Sequence, residues 1–306
     1  SEHIYNYGLQ IKGGNFKNEC KKSNIIVDYI LLGFLLGNDF LESLPSVSIN
    51  TGGIDTVIKV YINAWKGQHL VKSDFSINLT FLKDVFYQLK NHEGYFFKNF
   101  KYTNLANEEI SILNGLNGNL NGNLNGLNGN STLEFYDTNL IYTGNLDEIK
   151  KKYYTFYNNT SLKESCFEYI EGLYWILGYY NGHSHNNWNW YYKKHNVPFC
   201  SDLFEYLRTN LNELPNLIKG SEYLIKSEIY SNIKQLCLVL PKNSLINILS
   251  ENGNNNVLVK LKSSLLQNKS FYPNKLFIDL INKRFLWQSK ILFENINQEI
   301  LDYFLI

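Results

Sequence analysis

The chain has 306 residues, a mass of 35.7 kDa and a net charge of +1, from 29 Lys and Arg against 28 Asp and Glu. That balance excludes a polybasic nucleic-acid coat and an acidic solvating tail, and leaves room for a local basic groove. With 44% hydrophobic residues, a chain of this length buries a sizeable core, and about two domains are expected. The first apolar run, Ile25 to Leu36, is helix-like but broken by Asp28 and Gly33. Neither it nor any later run reaches the ~18 residues of a membrane helix. It ends at Gly37-Asn38-Asp39-Phe40, where Gly37 is a natural helix stop. Gly53 to Trp65 places Ile54, Ile58, Tyr61 and Ile62 on one helical face. Leu79 to Leu89 repeats Leu79, Leu82, Val85, Phe86 and Leu89, with Asn78 as its N-cap. Residues 112–131 are a low-complexity Leu-Asn-Gly repeat, expected as an expanded surface loop. Leu133 to Tyr142 holds a hairpin arm, and Phe167 to Tyr180 is a long aromatic helix. Leu236 to Leu240 ends a helix before Pro241, Ser244 to Leu249 starts another, and Lys275 to Leu280 alternates weakly as a strand. The expected fold is mainly α with few short strands.

Cys20, Cys166, Cys200 and Cys237 are widely spread and none forms a C-x-x-C pair. This favours reduced thiols in an intracellular protein, cytoplasmic or nuclear, over a disulfide framework. No Met occurs, not even at position 1, which points to a piece of a longer protein. Arg208 and Arg284 are the only arginines, and the bias to Asn, Lys, Tyr and Ile reads as an AT-rich genome.

Two places can carry chemistry. At the end of a buried helix, Asp39 is well placed to offer oxygen to Mg²⁺, or it simply caps the next turn. One carboxylate does not build a two-metal site, which needs several to hold two ions roughly 4 Å apart. In residues 186–203, Trp188, Trp190, Tyr191 and Tyr192 stand beside Lys193, Lys194 and His195. Aromatic faces stack on bases and adjacent cations hold phosphates, the usual recipe for single-strand binding; the alternative is buried aromatics with solvated lysines. A zinc site from His183, His185, His195 and Cys200 is disfavoured by its spacing. No G-x-S-x-G and no phosphate-binding G-x-x-x-x-G-K occurs.

Taken together, these segments resemble the Xrn family of 5′→3′ exoribonucleases. The matching blocks are VDYILLGFLLGNDFLESLP (27–45) followed by TGGIDTVIKVY, YIEGLYWILGYY (169–180), WNWYYKKHNVPFCSD (188–202), QLCLVLP (235–241) and YPNKLFIDLINKRFLW (272–287). Five blocks in the family's order make a specific resemblance. It implies Mg²⁺-dependent, processive degradation of 5′-monophosphorylated RNA. It also implies an α/β flap-endonuclease-like core carrying a carboxylate cluster, wrapped by a helical region that shapes the RNA channel. On that pattern residues 1–60 are the end of the nuclease core and residues 61–306 the helical domain. The N-terminal nuclease region, with the other metal-binding carboxylates, would lie outside this chain.

Carried over by position, Asp39 matches the aspartate of GNDF, a metal ligand in the family. Asp28 matches the second of two paired aspartates, the first being replaced by Val27; Asp28 and Asn38 are expected beside the ligand or in purely structural roles. Trp188 and Trp190 match the W-x-W pair, one of which stacks on a base, and Trp190 is slightly preferred. Lys193, Lys194 and His195 are expected on the RNA. Glu42, Ser43, Lys193, Asn196, Val197 and Asn297 depart from the family's usual residues, as in a divergent, viral or AT-rich eukaryotic member. The expected function is therefore a segment of a 5′→3′ exoribonuclease that supplies one Mg²⁺ ligand and the aromatic wall of a channel for single-stranded RNA, with no membrane partner. The alternative is a non-catalytic helical RNA-binding or scaffold domain.

Overall fold

The computed structural model of the chain describes residues 2–12, 22–99, 132–135, 144–157, 161–182, 187–225, 227, 229, 231–240, 244, 247, 275–279 and 285–292. The chain divides into two compact units. The larger comprises Ser1–Phe100 and Thr143–Glu228; the smaller comprises Lys101–Tyr142 and Ile229–Ile306.

In the larger unit the helices are α1 (Glu2–Lys12), α2 (Lys22–Phe34), α3 (Gly53–Ala64), α4 (Leu79–Asn99), α5 (Leu146–Phe156), α6 (Leu162–Tyr180), α7 (Cys200–Asn210) and α8 (Leu214–Lys219). The apolar faces of all of these but α5 meet in one core. It includes Leu31 and Leu32 of α2, Val57, Tyr61 and Ile62 of α3, Leu82, Val85, Phe86 and Leu89 of α4, and Tyr169, Ile170, Leu173 and Ile176 of α6. Each such buried side chain stabilises the fold by about 1.5–3 kcal/mol. Residue 60 lies inside α3, and residues on both sides of it pack into this core. The boundary drawn there from sequence therefore cuts a continuous helix.

Two buried carboxylates tie the helices together. Asp28 on α2 is fully buried. It accepts bonds from Tyr61 Oη at 2.6 Å and the Val71 N–H at 2.7 Å, and lies 3.0 Å from His69 Nδ1. Glu93 on α4 accepts from the N–H groups of Cys200 and Ser201 and from the Ser201 hydroxyl, at 2.7, 3.2 and 2.5 Å. These are free donors of the first turn of α7, so Glu93 caps that helix from a neighbour and docks α4 against it. Burial pushes the Glu93 carboxyl above its ordinary range, and those three bonds oppose the shift.

Asn78 is the N-cap of α4, its Oδ1 accepting the Phe81 N–H at 3.2 Å. The helix runs ten residues beyond Leu89, because Glu93 and Phe97 continue the buried stripe of Val85, Phe86 and Leu89. Sequence reading missed α5, although Asn145 and Glu148 form a capping box, with each side chain accepting the other's backbone N–H.

The smaller unit contains α9 (Asn232–Val239) and a three-stranded sheet of β1 (Thr132–Phe135), β2 (Lys275–Asp279) and β3 (Lys290–Leu292). β1 pairs with β2 in parallel, Thr132 opposite Lys275, and β2 pairs with β3 antiparallel. The strand expected near Leu133 exists, but a parallel partner distant in sequence is not a hairpin partner. The Leu-Asn-Gly repeat lies outside the described residues, as does most of the helix expected from Ser244. The fold of the described residues is mainly helical, and no helix among them is long and apolar enough to cross a membrane.

Candidate nucleic-acid interface

α2 stops where Gly37 adopts φ +94°. A Cβ there would lie 2.8 Å from the Ser43 backbone nitrogen, so the turn closes only around glycine. Asn38 builds the rest of it. Its Oδ1 accepts the N–H groups of Phe40 and Leu41 at 2.8 and 3.0 Å, and its own N–H donates to the Leu41 carbonyl at 2.8 Å. The cap of this turn is therefore Asn38 and not Asp39. Asp39 is left exposed at the tip, and its carboxylate makes no hydrogen bond or ion pair among the described residues.

Beside Asp39, Phe40 turns inward. Its ring meets Trp175 edge-on at 4.9 Å and Tyr179 at 5.1 Å. Trp175 stacks on Tyr179 at 5.5 Å and on Trp190 at 5.2 Å. The indole N–H of Trp190 donates to Glu171 at 2.9 Å, and that of Trp175 donates to the Asn187 carbonyl at 2.8 Å. At Gly172, a Cβ would stand 2.8 Å from the Trp190 ring and 3.0 Å from Leu41. The turn after α2, the aromatic helix α6 and the loop of residues 187–199 thus converge on one aromatic cluster. Glu171 belongs to it as the fixed acceptor of Trp190. Its signal in the sequence is a charged residue inside an otherwise apolar helical stretch.

The expected contact residues separate into different environments. Trp190 is 8% exposed, stacked and hydrogen-bonded, so it is a core residue. Trp188 is 49% exposed, with its backbone N–H held by Ser227 at 2.7 Å. The ring that meets solvent is the one sequence reading had placed second. Lys194 is bound to Glu164 at 3.0 Å and lies 3.9 Å from Glu168, both on α6. Its charge is held there, and burial pushes the Glu168 carboxyl upward against the pull of Lys194. Lys193 is exposed and His195 partly buried. The bonds of Asp28 go to Tyr61, His69 and Val71, none to Asn38 or Asp39. His183 and His185 lie outside the described residues, and Cys200 is buried with its Sγ 3.5 Å from Ser46 Oγ.

A resident Mg²⁺ does not fit the described residues by themselves. The ion demands near-octahedral oxygen coordination, and no group of three or more His, Cys, Asp or Glu side chains converges among them. Asp39 is an exposed carboxylate with no hydrogen bond or ion pair among the described residues, and so are Asp55 and Asp147; only Asp39 lies on the turn beside the aromatic cluster.

Comparison of the sequence with known proteins places it in a family. The sequence matches the family described as Xrn1 helical domain over residues 19–119 and 148–302. It is 26% identical to 5′-3′ exoribonuclease 1 of Homo sapiens over 340 residues, covering 96% of this chain and 18% of that protein. It is 24% identical to the 5′-3′ exoribonuclease 2 homolog of Drosophila melanogaster over 330 residues, covering 93% of this chain and 34% of that protein. With 5′-3′ exoribonuclease 2 of Arabidopsis thaliana it shares 35% identity over 136 residues, 42% of this chain and 11% of that protein. The chain thus spans about a third or less of the length of these curated relatives. With helices predominating, with the turn, the aromatic helix and the tryptophan loop joined in one cluster, and with a match along most of its length, the chain belongs to the Xrn1 helical domain family.

Proposed function

We propose that the chain is a segment of a 5′→3′ exoribonuclease acting on single-stranded RNA with a 5′-monophosphate. In the complete protein, Asp39 contributes one ligand to a Mg²⁺ site whose other carboxylates lie in the N-terminal nuclease region. Trp188 stacks on a base in the wall of the RNA channel, and Lys193 faces the phosphates. The observation that carries this reading is the unengaged carboxylate of Asp39, held on a turn whose next residue, Phe40, is embedded in the aromatic cluster that presents Trp188. The buried thiols of Cys166 and Cys200 suit a reducing, intracellular setting.

A second reading is a helical RNA-binding or scaffold domain without catalysis, in which the exposed Trp188 and Lys193 serve binding alone. The test uses the full-length protein, 5′-monophosphorylated RNA and Mg²⁺. Asp39→Ala is expected to abolish cleavage and spare most of the RNA affinity, because a lost metal ligand removes stabilisation that matters mainly in the transition state. Near-normal cleavage by the variant would remove Asp39 from the site. Binding without cleavage by the unaltered full-length protein would establish the second reading.

A further inference from the structure

We propose that Tyr180 is a second base-stacking platform beside Trp188, so that the chain grips neighbouring nucleotides of single-stranded RNA at two rings and not one. The proposal rests on the reading of Trp188 given above and extends the same site by one residue.

Tyr180 is the last residue of α6 and is 56% exposed. It is held as a platform should be. Phe34 stacks behind it, with centroids 5.7 Å apart and planes at 22°. Tyr179 meets it edge-on at 5.3 Å. A ring already supported by other rings loses little freedom when a base lands on it, so more of the stacking energy appears as affinity. Its hydroxyl has no hydrogen bond among the described residues, so what the ring gives the fold comes from these ring contacts alone.

The other exposed tyrosines near Trp188 differ. Tyr179 is less exposed, at 38%, with Trp175 parallel to it at 5.5 Å and the rings of Phe40, Tyr180 and Trp188 around it. Tyr191 is 55% exposed but has no aromatic neighbour among the described residues. Tyr180 and Trp188 both rest against Tyr179, at 5.3 and 6.1 Å. They are therefore two exposed rings anchored to one shared ring, whose other face is covered by Trp175.

An exposed aromatic group also marks protein contacts. RNA is favoured here because the cluster runs without a break through Phe40 to the turn that displays Asp39. Stacking on a face that any base possesses adds grip without sequence preference, as an enzyme that must read through every sequence requires.

The test measures binding of a labelled single-stranded oligouridylate to the purified chain by fluorescence anisotropy at low salt, together with melting temperature. Tyr180→Leu is expected to weaken binding about tenfold with an unchanged melting temperature. Tyr180→Phe, which keeps the ring, stays near wild type. Trp188→Ala serves as the reference for the site. If Trp188→Ala weakens binding and Tyr180→Leu does not, the second platform is refuted and the Trp188 reading stands. If both variants bind like wild type, or the unaltered chain binds no RNA, both readings fall. If Tyr180→Leu lowers the melting temperature and leaves affinity unchanged, the ring is a packing residue and the inference is overturned.

Discussion

Replacing Gly172 by Ala is expected to destabilise the larger unit, against the sign that helix propensity alone assigns. In an unconstrained helix interior the change stabilises by about 1 kcal/mol, since alanine loses less backbone entropy. Gly94 in α4 is such a position, with nothing within 4 Å of an added Cβ. At Gly172 the same atom would lie 2.8 Å from Trp190 Cη2 and 3.0 and 3.1 Å from the two Leu41 methyls. The Leu41 methyls sit at the end of a rotatable side chain and can yield. Trp190 cannot yield freely: it stacks on Trp175 and its N–H is fixed to Glu171. Overpacking of this kind costs about 1–3 kcal/mol, which leaves a net loss of up to about 2 kcal/mol after the propensity gain. Urea denaturation of wild type, Gly172→Ala and Gly94→Ala, followed by far-ultraviolet circular dichroism, reads the difference as shifts in midpoint at a common slope. The two variants should move in opposite directions. A Gly172→Ala midpoint raised as far as that of Gly94→Ala would refute the tight seating of Trp190 on α6.

The two tryptophans should part in the same assay. Trp190→Ala is expected to cost about 3–5 kcal/mol, as for a large buried aromatic, whereas Trp188→Ala leaves stability nearly unchanged and weakens RNA binding by about 1–3 kcal/mol. Asp39→Ala in the chain should melt like wild type, because its carboxylate has no partner among the described residues; a clear drop in melting temperature would reveal a structural bond. Glu93 supplies a pH dependence. Burial holds its folded pKa above the ordinary 4.5, so the folded state binds the proton more tightly. Its contribution to stability is full below about pH 4.5 and is lost as pH rises through the folded pKa. Unfolding free energies across that window should fall more for wild type than for Glu93→Gln, and parallel curves would show that Glu93 does not titrate there.

Periodic apolar spacing made the cores of α3, α4 and α6 legible in the sequence, and local chemistry made Asn78 and Gly37 legible as cap and stop. What stayed hidden depends on partners far along the chain. Nothing near Asp28 announces that Tyr61, His69 and Val71 will use up its oxygens. The far half of α4 was missed because the stripe passes through Glu93, whose acceptor role exists only once α7 is in place. Trp188 and Trp190 are the same residue type two positions apart, and only the bare backbone of Gly172 and the carboxylate of Glu171 decide which is buried. Lys194 reads as a phosphate contact until Glu164 and Glu168 come around on α6. β2 is visible as a weakly alternating stretch and β1 as one arm of an expected hairpin, but their parallel pairing is a non-local event that no short window contains.

The turn after α2 makes its bonds through Gly37, Asn38, Phe40 and Leu41, and none through the Asp39 carboxylate among the described residues. On the reading proposed above, folding and chemistry would be carried by different residues of a four-residue motif. Exchange of Asp39 would then remove the metal ligand without breaking any bond the turn makes among the described residues. A single codon would separate an active nuclease from a well-folded, inactive descendant, and selection on fold alone would not defend it.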